Sequence, residues 1–206
     1  MEKKRIISFE GIDGCGKTTQ AKLLHGYLSR KGLETVILFE PGGTEVGESI
    51  RNLLLFGREK PCAWSELFLY LASRAQLLED VIRGHVIKGR IVILDRYIDS
   101  TTAYQGYGRG LPVGLIRDIH ASFLCGLFPD LTFLVDATAR ELAEVLEKKE
   151  KDRMERESMS FQNRVREGYL RIAEENDRVR IVARKSVQET HETIVKITEA
   201  YLNEEG

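Results

Sequence analysis

Residues Gly11, Ile12, Asp13, Gly14, Cys15, Gly16, Lys17 and Thr18 read G-x-x-x-x-G-K-T, with Thr19 directly after. Glycines at this spacing let the backbone curl so that its N–H groups point inward at phosphate oxygens. A helix starting there adds its positive N-terminus. Lys17 is placed to reach the β- and γ-phosphates of a nucleotide, and Thr18 to offer its hydroxyl to Mg²⁺. A glycine turn with a lysine behind it by chance is the plainer reading, but a short apolar run precedes the motif and helical spacing follows it, as the motif requires. It makes a nucleotide-phosphate binder without choosing between a GTPase, a motor ATPase and a kinase. The guanine-reading N-K-x-D is absent, and 206 residues are few for a large ATPase.

A second group stands further on. Asp95-Arg96-Tyr97 follows an apolar run. An aspartate at a strand end beside a phosphate loop is where a ligand for magnesium or its waters belongs, and Arg96 adds a planar donor fork suited to phosphate. Glu40-Pro41-Gly42-Gly43-Thr44 follows another apolar run, with Arg51 beyond it. Tyr70 and Arg74 are four residues apart and share a helix face. An aromatic ring beside an arginine suits a ligand with a flat base and a phosphate, although a core tyrosine and a solvated arginine would give the same spacing.

Five short apolar runs, Ile6–Phe9, Thr35–Phe39, Ile91–Leu94, Leu131–Val135 and Val179–Val182, predict strands. Helices are predicted from Lys17 to a stop at Gly32, over 44–56, 63–88 and 112–125, and after two capping boxes, Thr138 with Glu141 and Ser186 with Glu189. Gly106 to Gly110 predicts a glycine-rich loop. Strands alternating with helices, and apolar throughout, imply an α/β fold: a five-stranded parallel sheet with helices on both faces. Its ligands should lie at the carboxyl ends of the strands, where the residues above fall.

FEGIDGCGKTTQ, EPGGT, LFLYLASR, LDRYIDSTTAYQGYGRG and PDLTFLVD, in this order and spacing, resemble the thymidylate kinases, phosphate-loop nucleoside monophosphate kinases; the likeness covers the chain from about Ile6 to beyond Arg171. The DRY…AYQG segment is the family-specific part. The resemblance implies transfer of the γ-phosphoryl of ATP to dTMP with Mg²⁺, in dTTP synthesis. It implies one domain over 1–206 that binds ATP through residues 11–19. Arg51, Arg74 and Arg96 would hold the dTMP phosphate, and Tyr70 would stack on thymine. Thr101 and Gln105 would bond the base, and Tyr104 would wall the sugar pocket. Asp13 would sit near the deoxyribose 3′-hydroxyl and Glu40 in the dTMP site. Lys17, Arg96 and Asp95 would be catalytic, and Thr18 and Asp95 would hold the metal. The resemblance further implies a cytoplasmic homodimer, for which the helix over 63–88 offers a contact.

By charge alone, Lys148 to Glu157 predicts an exposed, ion-paired helix. The resemblance implies a small helical lid there, over about 148–160, closing on both phosphates. Gly14 stands where some relatives carry a phosphate-loop arginine; such relatives aside, the lid supplies it. Here the lid starts with Lys148, Lys149 and Lys151, and Arg153 is its first clear arginine and the favoured catalytic one. Phe39 stands where relatives often have arginine. Arg184 is placed near adenine by fold position only. Two other functions fit a phosphate loop. A deoxynucleoside kinase would need a carboxylate base and fewer phosphate-facing arginines. A non-catalytic regulator would not need Lys17, Thr18 and Asp95 together.

Composition sets the background. The 31 Lys+Arg and 32 Asp+Glu leave a net charge of −1, which argues against a bulk nucleic-acid or anionic-membrane partner. The positive charge needed for two phosphate substrates must therefore be local, with the compensating carboxylates expected on helix exteriors. Cys15, Cys62 and Cys125 are odd in number and widely spaced, as suits reduced thiols, and no run of 18 apolar residues marks a membrane span.

Overall fold

The computed structural model describes residues 5–142 and 152–204. Five parallel strands form one sheet in the order β2-β3-β1-β4-β5: β1 Ile6–Glu10, β2 Thr35–Phe39, β3 Ile91–Asp95, β4 Leu131–Asp136 and β5 Val179–Ala183. Around them run α1 Lys17–Arg30, α2 Glu45–Phe56, α3 Ala63–Leu77, α4 Arg83–Ile87, α5 Ile98–Thr101, α6 Val113–Leu124, α7 Met159–Glu175 and α8 Val187–Glu204.

The run of apolar residues in β1, β3 and β4 follows from their central position, since both faces are covered. Register pairs Ile7 with Ile93 and Leu131, and Phe9 with Phe133, whose ring lies 5.3 Å away. One core packs Phe9, Leu24 and Phe133 with Val165 and Ile172 of α7; a second packs Ile6, Leu94 and Tyr97 with Leu77, Ile82 and Leu124. The chain leaves β1 toward β2 on one side and reaches β4 on the other. This switch in direction opens a crevice at the carboxyl end of β1, between the phosphate loop and the end of β3.

Two segments differ from the sequence expectation. The helix predicted over 63–88 runs the predicted length, but Leu78–Ile82 is a π-helical turn joining α3 to α4. The loop predicted from Gly106 to Gly110 is helical up to Gly108: α5 continues as a π-helical turn over Thr102–Gly108. Its glycines serve packing. A Cβ on Gly108 would stand 2.9 Å from Phe161 and Val165, and one on Gly168 would stand 2.6 Å from Tyr107, so α7 approaches α5 and its π-turn at backbone distance. Only Gly110, at φ +79, makes a turn of the expected kind. The end of α5 carries Thr101, and the wide π-turn carries Tyr104 and Gln105, at the crevice.

The predicted lid helix is also different where described. Lys148, Lys149 and Lys151 lie outside the described residues; residues 152–158 form turns, and α7 begins only at Met159. The Asp152 carboxylate accepts from the N–H groups of Met154 (2.8 Å) and Glu155 (3.0 Å), which favours a turn over a helix. Met154 is buried in the first core. Both capping boxes form, at Thr138 with Glu141 and at Ser186 with Glu189.

Alanine usually favours a helix over glycine by about 1 kcal/mol. Gly168→Ala is nevertheless expected to destabilise the fold by about 1–3 kcal/mol, because the new methyl meets Tyr107. Urea unfolding measures this; a gain in stability would show that α7 stands further from α5 than described.

Candidate active site

Residues 11–16 link β1 to α1, with Gly16 at φ 105 as the N-cap of α1, a conformation that glycine adopts without strain. The side chains of Ile12 and Cys15 turn into the core, so the loop shows its backbone to the crevice. Lys17 lies back across the loop, its Nζ donating to the Ile12 carbonyl at 2.9 Å. The Thr18 hydroxyl donates to Asp95 Oδ2 at 2.5 Å, which joins the expected metal-binding pair across the end of β3. These are hard oxygen donors, the set Mg²⁺ takes.

Next to Asp95, Arg96 holds φ 70, an uncommon backbone state for a residue with a side chain. The surroundings that fix it are explicit. Nη2 donates to Asp13 Oδ1 (2.5 Å) and to the Tyr104 hydroxyl (3.2 Å). Nη1 donates to the Gly11 carbonyl, Ser100 Oγ and the Tyr169 hydroxyl at 3.1–3.3 Å. The guanidinium also lies 5.0 Å from the Tyr104 ring centre. Burial alone would raise the Asp13 carboxyl, but Arg96 and Lys17 hold it at about 2. Burial opposes the Arg96 charge, yet Asp13 drives its pKa well above the ordinary value.

Beneath Arg96 sits Glu10, fully buried at the end of β1. It accepts from the Tyr97 N–H (2.8 Å), the Ser100 hydroxyl (2.6 Å) and the Tyr169 hydroxyl (3.1 Å). Burial first, and the negative charge of Asp99 second, push its carboxyl up to about 7.

One cavity of about 1020 Å³ joins these groups. It is lined by Gly14, Gly16, Lys17, Thr18 and Thr19 of the phosphate loop and α1, by Glu40, Arg51, Tyr70, Thr101, Tyr104 and Gln105, and by Asp13, Asp95 and Arg96. Arg51 is steadied by the Pro41 carbonyl (2.8 Å) and the Phe39 ring. Arg184 does not line this cavity.

Arg74 departs from its expected place at the acceptor phosphate. It is fully buried behind the cavity wall. Nε donates to Glu40 Oε2, Nη1 to Thr101 Oγ1 and His120 Nε2, and Nη2 to the Tyr97 carbonyl and Glu40, all within 2.9 Å. All five of its N–H groups are thus used inside the protein. Burial and the Arg74 charge take the His120 imidazole down to about 2, so it is neutral and its Nε2 accepts. Arg153 departs as well. Its Nε donates to the Leu54 carbonyl (2.6 Å) and its Nη1 to Glu66 Oε2 (2.7 Å), away from the cavity. The described arginine of that segment which does line the cavity is Arg156, and it is exposed.

The sequence reading missed Glu10, Ser100, Tyr169, Glu66 and Arg156. Glu10 had a signal, a carboxylate closing an apolar strand just before the phosphate loop; Tyr169 comes from a helix far along the chain and had none.

A family model described as thymidylate kinase matches residues 9–194. The chain belongs to the thymidylate kinase family. It is 42% identical to the thymidylate kinase of Thermoanaerobacter sp. strain X514, over 97% of this chain and all of that protein. With that of Chlorobium luteolum it shares 47% over 93% and 95% of the two chains. The crystal structure of the Ehrlichia chaffeensis thymidylate kinase superposes with a TM-score of 0.80 at 35% identity, covering 95% of this chain and 98% of that one. The thymidylate kinase fold is thus shared over nearly the whole chain, crevice included.

Between pH 4.5 and about 7, folded Glu10 holds a proton that the unfolded chain has lost. The folded state then binds more protons, so this group's contribution is present at low pH and is lost as pH rises through 7. Denaturant unfolding at pH 5 and pH 8 is expected to show a loss of a few kcal/mol from this source. Glu10→Gln should flatten the slope. An equal slope in the variant would place the titration elsewhere.

Proposed function

We propose that this chain carries out its family's reaction, transfer of the γ-phosphoryl of ATP to dTMP, with the two nucleotides entering opposite ends of the one cavity. The observation that supports this most is the continuity of the phosphate loop with a pocket holding Arg51, Arg96, Tyr70 and Tyr104. Both substrates are anions. Catalysis of phosphoryl transfer is mainly positioning and charge stabilisation, so cations held between the two sites are what the chemistry needs.

In this reading the loop backbone and Lys17 take the ATP phosphates, and Thr18 and Asp95 hold Mg²⁺ or its waters. When bound, that ion offsets charge on the β- and γ-oxygens. Arg51 and Arg96 meet the dTMP phosphate; Arg74 instead braces Glu40 and Thr101. Tyr70 offers a ring face to thymine, and Thr101 and Gln105 its polar edge. Tyr104 packs under the sugar, and Asp13, ionised beside Arg96, lies near the 3′-hydroxyl. Residues 152–157 form the cavity roof, part of a lid that shuts out water. Arg156 supplies the cation assigned earlier to Arg153.

Two further features belong to this reading. Two copies pair through α3, where the stacked rings of Trp64 and Phe68 are 41% and 56% exposed. The enzyme works in the cytoplasm, which fits three free cysteines, two of them exposed.

The test supplies ATP, Mg²⁺ and each nucleoside monophosphate in turn and follows ADP. Preference for dTMP is expected; preference for UMP, CMP or AMP, or activity on thymidine but not dTMP, would overturn the reading. Lys17→Ala should lower kcat by about 10²–10³-fold with the fold intact. Arg156→Ala should lower kcat while leaving the KM for dTMP within a few-fold, and an unchanged kcat would remove it from the chemistry. Phe68→Glu should convert a dimer to a monomer by sedimentation equilibrium; a wild type that is already monomeric would refute the pairing.

A further inference from the structure

Glu66 is a wholly buried carboxylate on α3 that takes no part in the reaction as described. Its four acceptor positions are all filled. Oε1 accepts from Gln105 Nε2 (2.8 Å) and Arg109 Nε (3.0 Å). Oε2 accepts from Arg109 Nη2 (3.0 Å) and Arg153 Nη1 (2.7 Å). Two guanidinium groups on one carboxylate keep it charged in spite of its burial, and Arg109 is itself pinned 4.4 Å from the Phe161 ring centre.

The consequence falls on Gln105. A primary amide can face either way, with NH₂ or with oxygen toward a neighbour. An ionised carboxylate only accepts, so it admits one orientation, NH₂ toward Glu66. The amide oxygen of Gln105 is then turned from Glu66, and Gln105 lines the base end of the cavity. Thr101 is constrained in the complementary sense. Its Oγ1 already accepts from Arg74 at 2.7 Å, which leaves its O–H to donate. The pocket therefore presents an acceptor from Gln105 next to a donor from Thr101.

We infer that Glu66 is a specificity-determining positioning residue: by locking the Gln105 amide with its oxygen toward the cavity, it selects a pyrimidine with a ring N–H, an imide, over one with a ring nitrogen lone pair. Thymine and uracil offer N3–H flanked by carbonyls. Cytosine offers a lone pair at N3, which would face the Gln105 oxygen. A site built to pair a ligand N–H discriminates strongly, because the mismatched group is buried without a partner. This rests on the reading above that Gln105 faces the base.

The experiment measures kcat/KM by ADP release for dTMP, dCMP and N3-methyl-dTMP. The wild type should prefer dTMP to both. In Glu66→Gln, residue 66 can donate as well as accept, so Gln105 is free to turn. The dTMP:dCMP ratio is then expected to fall at least tenfold, and the penalty for N3-methylation to shrink with it. Because that variant takes the carboxylate from Arg153 and leaves Arg109 with Glu157 alone, Glu66→Gln with Arg109→Met is tested beside it; methionine keeps the contact with Phe161, and the same loss of selectivity is expected. A purely structural Glu66 would raise KM for dTMP, dCMP and ATP alike and leave both ratios unchanged, which would overturn the inference. Gln105→Ala separates the two levels. If it leaves KM for dTMP unchanged, the base-pocket reading fails and this inference with it. If it raises KM while both Glu66 variants keep wild-type ratios, only the inference fails.

Discussion

Arginines that are to meet phosphate inside a crevice must be held still before the phosphate arrives, and a guanidinium removed from water is tolerable only beside a carboxylate. This pairing organises the whole acceptor half of the molecule. Asp13 holds Arg96, Glu40 holds Arg74, and Glu66 holds Arg109 and Arg153. Each carboxylate comes from a different element, namely the phosphate loop, the end of β2 and α3. Each arginine ties that element to another, so the same ion pairs that preset the site also close the fold around it. Glu10 adds an inner layer, because Ser100 and Tyr169 connect it to Arg96.

The fold was legible because its signals are local. Apolar runs at the sheet centre, the phosphate-loop glycines and two capping boxes are each read within a few residues. The lining residues at and just after the strand ends were legible too, because strand ends in a parallel sheet converge whatever the details. Partner choice among buried charges was not. Arg74 and Arg96 look alike in sequence, each an arginine near aromatic residues. One is sealed behind the wall because Glu40, Thr101 and His120 converge on it from three elements, whereas the other remains at the cavity. The glycines of 106–108 misled for a related reason. Gly108 serves the close approach of α7, an event more than fifty residues away in the chain, while Gly106 makes room for Val113 of α6, and no local pattern distinguishes either from a loop.

The roof segment shows the same limit. DRMERE carries two arginines three apart, and charge alone favours neither. The turn at Asp152 and the burial of Met154 decide between them. With Met154 seated in the core, Arg153 is drawn down to Leu54 and Glu66 while Arg156 is left at the cavity. Arg153 thus rivets this segment to Leu54 and Glu66, and the lysines expected beside it precede the riveted turn.

The net charge of −1 takes on a different meaning in this light. The carboxylates that cancel the basic residues were expected on helix exteriors, leaving the site with a plain positive excess. Instead Asp13 and Glu40 line it, and Glu10 and Glu66 are buried behind them. An unopposed cluster of cations in a closing crevice would repel itself and open. With Arg74, Arg96, Arg109 and Arg153 each beside a carboxylate the cluster is stable when empty, and in the proposed reading the substrates' phosphates add charge to cations that are already oriented. Among the described residues, Arg51 and Lys17 have carbonyl partners, not carboxylates. They can move to an incoming phosphate without leaving a buried negative charge behind. Arg96, tied to Asp13, keeps its position, and in the proposed reading it is the fixed point against which those two groups align the reacting phosphates.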